Sequence, residues 1–400
     1  MYFLVQASSI SWSGGPDLCM NIVEGQPVVY WTVARIFENF PEAEVVIIAP
    51  EFDREGKLNA LKELFPSSHF RIHYGHNNSP LLRMIEATDR LAQGDYAVRI
   101  DGLHMWFDID AVRDMLSSAY LKSLDCIKFP DNFPVQCAAE VYRVDSLRRS
   151  HTMLSEVTDH ETGKFHIHPR FFIMHSDAFK TEYLSNLPSY SDAYLMECRA
   201  RAVQIYREPR LDVNQSSIKA GDQLSYHYEL ALSFLTKKDT VLDVASGIGY
   251  GGNLVAPNVA TVTCADFDEL TLAIGEERFG GLSNLTFSQQ DVTAMTFADH
   301  SFDAVLSMET VEHIEDDQAY FREIARVLRP GGYLILSTPQ NAQGRIPVNP
   351  EHVREYSLEE LCDRLKEYFD IQNTFGLKAG TIHYAGDHLG SNTFLVAASR

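Results

Sequence analysis

The residues best suited to chemistry lie in the run Val241-Leu242-Asp243-Val244-Ala245-Ser246-Gly247-Ile248-Gly249-Tyr250-Gly251-Gly252. An apolar strand ends there in a glycine-rich turn and passes into a helix. Glycine lets the backbone approach a ligand closely and take positive φ. The start of the helix adds N–H groups that have no intrahelical partner. Gly247, Gly249 and Gly252 also satisfy the dinucleotide spacing G-x-G-x-x-G, so the turn alone leaves the ligand open. Three carboxylates narrow the choice. Asp243 ends the strand four residues before Gly247, where it would repel a pyrophosphate and attract a cationic amino-acid group. Asp266 closes the next strand 17 residues after Gly249, where an acidic side chain can accept from both ribose hydroxyls. Asp291, in Gln290-Asp291-Val292, closes the third strand, where a carboxylate can accept from an adenine amino group. Ser246 in the turn and Ser307 on the fourth strand complete the expected binding set.

A second group of reactive side chains follows the fourth strand, in Glu309-Thr310-Val311-Glu312-His313-Ile314-Glu315-Asp316. His313 titrates near the working range and is the first candidate for a general base. Glu309 is the alternative, facing the bound ligand. His352 and Arg354, in Asn349-Pro350-Glu351-His352-Val353-Arg354-Glu355-Tyr356-Ser357, could meet a hydroxyl or a phosphate of a second substrate, or serve only to order that loop. No ligand spacing demands a metal.

These side chains need an open α/β sheet behind them, with ligands outside the carboxyl ends of its strands. The pattern predicts strands at Thr240–Val244, Val259–Ala265, Leu285–Gln289, Phe302–Ser307 and Tyr333–Thr338. Helical stretches such as Asp316–Leu328 separate them, and Asp370–Phe375 with Ser391–Ala398 suits a terminal antiparallel pair. The first half alternates in the same way. Strands are expected at Phe3–Ala7, Val45–Ala49 and Tyr96–Ile100. Helices are expected at Val28–Phe40, Leu81–Gln93 and Asp110–Ala119, the last capped by Asp110. Residues 207–222 are polar and weakly patterned. They divide a first domain, 1–206, from a second, 223–400.

In their order, the second-half motifs resemble the class I S-adenosylmethionine-dependent methyltransferases. Phe302-Asp303-Ala304-Val305-Leu306-Ser307-Met308-Glu309 resembles their fourth-strand motif, and Leu328-Arg329-Pro330-Gly331-Gly332-Tyr333-Leu334 resembles their L-R-P-G-G turn. The resemblance implies a Rossmann-like domain with S-adenosylmethionine against Asp243, Gly247, Gly249, Asp266 and Asp291. It implies an in-line displacement at a sulfonium carbon, for which the protein orients a nucleophile and accepts its proton. The His352 loop looks like that of methyltransferases found with surface-polysaccharide pathways, where it covers the acceptor.

The first half resembles the cytidylyltransferases of sugar activation, including the spore-coat polysaccharide type. The likeness rests on Arg99-Ile100-Asp101-Gly102-Leu103-His104-Met105-Trp106-Phe107-Asp108, on Phe133-Pro134-Val135-Gln136-Cys137-Ala138-Ala139-Glu140-Val141-Tyr142, on Leu81–Gln93 and on Asp159-His160-Glu161-Thr162. It implies an α/β domain of the nucleotide-diphospho-sugar transferase kind. The sequence departs from that pattern where catalysis needs it. The first loop, Ser8-Ser9-Ile10-Ser11-Trp12-Ser13-Gly14-Gly15-Pro16-Asp17, holds no Arg or Lys for a triphosphate. Leu103 and Ala138 stand where the family's metal aspartates would fall, leaving Glu140 and a displaced Asp101 to hold Mg²⁺. This half is therefore expected to be inactive in nucleotidyl transfer.

The whole chain fits two globular domains: 400 residues, 45% hydrophobic and 22% charged. Its formal net charge of -21, without a Lys/Arg cluster, argues against a nucleic-acid partner. It has no apolar run long enough for a membrane span, and its start lacks the marks of a signal peptide. The six cysteines are scattered, as in a reducing cytoplasm. The expected protein is a cytoplasmic methyltransferase, a homodimer being compatible, that acts on oxygen of a sugar, nucleotide-sugar or related polar acceptor. The rival readings are a bifunctional nucleotidyltransferase/methyltransferase and a non-catalytic binding or scaffold protein.

Overall fold

The computed structural model describes residues 1–10, 16–156, 163–206 and 223–400. Most of the first loop (11–15), the stretch Asp159–Thr162 and the expected linker 207–222 lie outside the described residues. The chain divides into two compact units, Met1–Arg207 with Val348–Pro350 and Glu208–Pro347 with Glu351–Arg400. No helix among the described residues is long and apolar enough to cross a membrane. The six cysteines are free thiols.

The first unit is built on a mixed seven-stranded sheet. Its strands are β1 (Tyr2–Gln6), β4 (Glu44–Pro50), β5 (Phe70–Gly75), β6 (Tyr96–Asp101), β7 (Cys126–Lys128), β8 (Glu140–Arg143) and β9 (Thr181–Tyr183). A two-stranded ribbon, β2 (Ile22–Val23) and β3 (Gln26–Pro27), stands apart from it. The sheet order is β5-β4-β1-β6-β8-β7-β9. The first four strands run parallel, and β8 opposes both β6 and β7. Fully buried Phe3, Leu4 and Val5 on β1 and Val45–Ala49 on β4 explain the order: strands covered on both faces read as continuous apolar runs. Two local expectations are corrected. The helix expected over Leu81–Gln93 is Pro80–Ala87, because the Thr88 hydroxyl turns back onto the Met84 and Ile85 carbonyls. The next helix, Ile109–Lys122, is capped by Asp108 rather than Asp110; the Asp108 carboxylate accepts from Ala111 N–H at 2.8 Å.

The second unit carries another seven-stranded sheet. Its strands are β10 (Thr240–Val244), β11 (Thr261–Asp266), β12 (Leu285–Gln289), β13 (Phe302–Met308), β14 (Leu328–Pro339), β15 (Phe369–Leu377) and β16 (Asn392–Ser399). The order is β12-β11-β10-β13-β14-β16-β15, with only β16 antiparallel to its neighbours β14 and β15. Parallel pairing of β10 with β11 and β13 brings the carboxyl ends of the central strands to one edge. The helix Asp317–Val327 runs straight into β14, its apolar Tyr320, Phe321, Ile324 and Val327 packed on Leu242, Val305 and Leu336 of the sheet.

Candidate active site

Three residues in the left-handed region within five positions reverse the chain beyond β10: Ala245 (φ 50°), Gly247 (φ 56°) and Gly249 (φ 78°). At Ala245 this geometry costs on the order of 1–3 kcal/mol, so the surrounding structure must hold it. It does so through Ser246 N–H, which donates to the Ala265 carbonyl at 3.0 Å, and Gly249 N–H, which donates to the Ser246 carbonyl at 3.0 Å. A Cβ on Gly249 would lie 2.6 Å from the Phe287 ring, whereas one on Gly247 would meet no heavy atom within 4 Å. The turn thus packs tightly behind Gly249 and opens at Gly247.

Two acidic side chains face this turn from β10 and β11. Asp243 is fully buried. One of its oxygens accepts from the Tyr228 hydroxyl at 3.1 Å; the other, Oδ2, is buried without a hydrogen-bond partner. Burial is the largest effect on its carboxyl and pushes it up to about 7, against the bonds from Tyr228 and Gly252 N–H. Asp266 is nearly buried and accepts from Gly247 N–H at 2.9 Å and from Asp268 N–H at 3.0 Å, so it also shapes the turn. Ser246 is buried within the turn. Asp291 is exposed at the end of β12, where its carboxylate accepts from the Thr293 N–H and hydroxyl; those bonds hold it below the usual range. Ser307 is a correction: its hydroxyl is fully buried, 2.6 Å from the Tyr320 hydroxyl, and fastens the helix Asp317–Val327 instead of lining the opening.

A second polar wall follows β13. Glu309 takes positive φ (51°), which turns its side chain away from the strand direction. Its Oε2 accepts from Asn392 at 2.7 Å, while Oε1 is buried without a hydrogen-bond partner, 3.7 Å from His227 Nδ1. His227 itself is buried between the Ser337 hydroxyl (2.9 Å) and the Gly380 carbonyl (3.1 Å). The next turn places Glu312, which is buried and accepts from the Thr338 hydroxyl at 2.9 Å. Burial raises its carboxyl well above the usual range, and the charges of Glu309 and Glu355 add to this. His313 and His352 meet edge to face with ring centroids 5.0 Å apart. His313 Nδ1 lies 3.0 Å from the Glu351 carbonyl, and His352 Nδ1 lies 2.7 Å from Glu355 Oε1. Arg354 does not join this wall. Its guanidinium pairs with Asp317 at 2.8 Å and donates to Tyr356 and the Glu315 carbonyl, so it orders the loop.

Residues 242–336, from β10 into β14, match the family model described as a methyltransferase domain. Over this stretch the second unit is similar to methyltransferase domains. A probable S-adenosylmethionine-dependent methyltransferase of Mycolicibacterium smegmatis is 33% identical over 158 residues, 38% of this chain and 60% of its own length. Another of that description, from Mycobacterium tuberculosis, is 35% identical over 129 residues, 31% of this chain and 46% of its own length. The chain therefore spans about half the length of these relatives. The crystal structure of an S-adenosylmethionine-dependent methyltransferase from Mesorhizobium loti is 15% identical, with a TM-score of 0.37, covering 44% of this chain and 99% of that one.

The methyltransferase domain has a place for a cationic cofactor on its own evidence. The unpartnered Asp243 oxygen is a buried acceptor that a sulfonium ligand's amino-acid end can satisfy, and such orphaned atoms call for an explanation. Of the groups in the two walls, sequence reasoning singled out Asp243, Asp266, Glu309, His313 and His352. It missed Tyr228, His227 and Asn392, which come from the first helix and the last strand, far along the chain. The only trace of His227 in sequence is one imidazole between two tyrosines in a short helical stretch.

The first unit's candidate metal carboxylates are differently placed. Glu140 is buried and bound by Arg99 (3.1 Å), Arg170 (3.0 Å) and the Tyr142 hydroxyl (2.6 Å). Burial alone would raise its carboxyl, but the Arg170 and Arg99 guanidiniums override it and hold it at about 2. Asp101 accepts from Leu103 N–H at 3.2 Å and lies 3.6 Å from Arg99. A carboxylate already neutralised by two guanidiniums is a poor ligand for Mg²⁺, which corrects the expectation that Glu140 remains available for one.

Proposed function

We propose that the chain transfers a methyl group from S-adenosylmethionine to oxygen of a sugar, a nucleotide-sugar or a similar small polar acceptor of surface-polysaccharide biosynthesis. The observation that carries the cofactor half of this reading is the buried Asp243 oxygen left without a partner beside the open Gly247 turn. Asp243 would receive the cationic amino-acid end, Asp266 the ribose hydroxyls, and Asp291 the adenine amino group. When bound, the cofactor supplies an activated methyl group on a sulfonium sulfur. The chain's task is to hold the acceptor oxygen in line with the methyl carbon, exclude water and take up one proton. Glu309, His313 and His352 supply hydrogen-bonding groups and a proton acceptor on the opposite wall. A wall of carboxylates and imidazoles favours a hydroxyl-bearing acceptor over an apolar one.

The first unit is read here as a cytidylyltransferase-like domain that does not transfer nucleotides. Its parallel strands reverse order between β1 and β6, where open α/β sheets bind ligands. Near that point Arg99 and Arg170 are consumed by Glu140. Pyrophosphate release with CTP, Mg²⁺ and a panel of sugar acids and sugar phosphates should be absent; Mg²⁺-dependent release by the full-length chain would favour the bifunctional reading instead.

The main test is methyl transfer from isotopically labelled S-adenosylmethionine to a panel of sugars, nucleotide-sugars, amines and thiols, with calorimetry of the cofactor. Micromolar cofactor binding, on the order of -8 kcal/mol, with label on a hydroxyl is expected. Absence of cofactor binding would sink the reading, and label only on nitrogen or sulfur would sink its acceptor half.

A further inference from the structure

We infer that Glu312, His313 and His352 form a divalent-metal site in the methyltransferase domain, and that the bound cation takes a hydroxyl of the acceptor as a further ligand. The second half of this statement rests on the acceptor reading above; the metal site does not.

One ligand atom from each of the three side chains lies within 4.8 Å of the others. A transition-metal dication bonded at about 2.0–2.2 Å places its protein ligands roughly 3–3.5 Å apart, so the three atoms already lie near the spacing an ion needs. The backbone already joins the two segments, because Val353 N–H donates to the Glu312 carbonyl at 2.7 Å.

The hydrogen bonds around the imidazoles fix their tautomers. A backbone carbonyl can only accept, so the contact from His313 Nδ1 to the Glu351 carbonyl puts the proton on Nδ1 and the lone pair on Nε2. The Glu355 carboxylate does the same for His352 and is itself held by Asn341, which donates to its other oxygen at 3.0 Å. Ligating histidines are oriented in this way by carbonyls and carboxylates behind them. The third ligand brings charge. Glu312 is 1% exposed, and no lysine or arginine among the described residues forms an ion pair with it. Two further carboxylates, Glu309 and Glu355, add negative potential at Glu312. A dication bound there would let the buried carboxylate ionise and would offset more than one of these charges.

Two imidazoles and one carboxylate select first-row dications of the Mn²⁺ to Zn²⁺ series over Mg²⁺ and Ca²⁺, which prefer all-oxygen sets. Three protein ligands leave open positions. A hydroxyl held at one of them is oriented and more acidic. The imidazoles, once ligated, no longer serve as bases, and the unpartnered Oε1 of Glu309 remains to take the proton.

The test uses the full-length chain, stripped with chelator and titrated with Mn²⁺, Co²⁺, Zn²⁺ and Mg²⁺ by calorimetry, with the visible spectrum of the Co²⁺ form. One equivalent of Mn²⁺ or Co²⁺ should bind at least tenfold more tightly than Mg²⁺. His313→Ala and His352→Ala should each weaken it more than tenfold, with S-adenosylmethionine affinity as the check that each variant is folded. Glu355→Gln, which ligates nothing, should weaken metal binding by about 10- to 100-fold. Should the histidine variants not fold, chemical modification of the native chain reads the same question: Co²⁺ should protect His313 and His352 from an acylating reagent. No stoichiometric binding, or neither loss in the variants nor protection in the native chain, overturns the site. Cofactor binding without metal binding would leave the methyltransferase reading standing. Metal binding at these residues without hydroxyl methylation would retain the site and remove the acceptor assignment.

Discussion

Both units set acidic side chains on or near the strands of a largely parallel sheet, but they treat the charges in opposite ways. In the first unit three carboxylates on or near the sheet meet cationic groups, while the buried Asp53 accepts from the Ser9 N–H and hydroxyl. Glu140 is held by Arg99 and Arg170, Asp131 by Lys128, and Asp125 by Arg149 and the Lys180 N–H. In the second unit Asp243 and Glu309 each keep a buried oxygen with no hydrogen-bond partner, and Glu312 has only neutral donors. A closed ion-pair network is complete without a ligand, and its groups serve the fold. A buried acceptor left open is stable only if something else arrives to satisfy it, or if it gives up its charge. Acidic residues at the end of a strand therefore do not by themselves mark a site; what marks it is the lack of a partner within the chain.

The comparison breaks most visibly at Glu140. Glu140→Ala removes the carboxylate shared by the buried Arg99 and the partly buried Arg170, so unfolding of the first unit should become easier by about 3–5 kcal/mol. All three tryptophans, Trp12, Trp31 and Trp106, lie in the first half, so the denaturant midpoint of their fluorescence reads that unit. Asp243→Asn in the second unit, scored by cofactor-free circular dichroism melts at neutral pH, should cost less than about 1 kcal/mol, because the amide still accepts from Tyr228 while the unpaired charge is gone. Equal losses in the two variants would erase the distinction between matched and open carboxylates.

Asp266 tests the open side of the comparison at the next level. Asp266→Ala should weaken S-adenosylmethionine binding by about 10- to 100-fold, since a charged acceptor contributes roughly 1.5–3 kcal/mol. Part of that loss would come from the freed Gly247 N–H. Calorimetry giving wild-type affinity in the folded variant would remove Asp266 as a ribose ligand.

The smallest effect expected is a pH dependence. Asp243 is faced by Tyr228 from the first helix of the domain, Tyr250 from the helix after the turn, and Cys264 and Asp266 from β11. Its carboxyl sits at about 7 in the unliganded chain, and a cationic ligand needs it ionised. Affinity for S-adenosylmethionine should therefore fall as pH drops through about 7, by up to tenfold per unit, and level off above it. The stability term has the opposite sign. The folded value lies above the ordinary 3.8, so this group's contribution is full below that value and is lost as pH rises through about 7. A binding isotherm unchanged between pH 6 and 8 would show that Asp243 is ionised throughout and not raised by burial.

Local pattern was enough for the strand–turn–helix around Gly247, for the five parallel strands of the second unit and for the terminal antiparallel pair. Each of these is written in short-range periodicity, glycine placement and strand-end carboxylates. The same reasoning named His313 and His352 as candidates, because both stand in polar segments that follow predicted strands. It misplaced the cap at Asp110 and ran the helix from Leu81 too far, since competing side-chain bonds from Asp108 and Thr88 carry no periodicity. Partnership lay beyond it. That Glu140 is neutralised depends on Arg170, 30 residues away in sequence, and that Glu312 meets His352 depends on a loop 40 residues on, drawn in by a backbone bond from Val353. Sequence determines which groups can ionise, donate or ligate, because that is fixed by residue type. Only the tertiary structure decides which of them are left without a counter-charge, because desolvation and pairing depend on what the folded chain packs around each group.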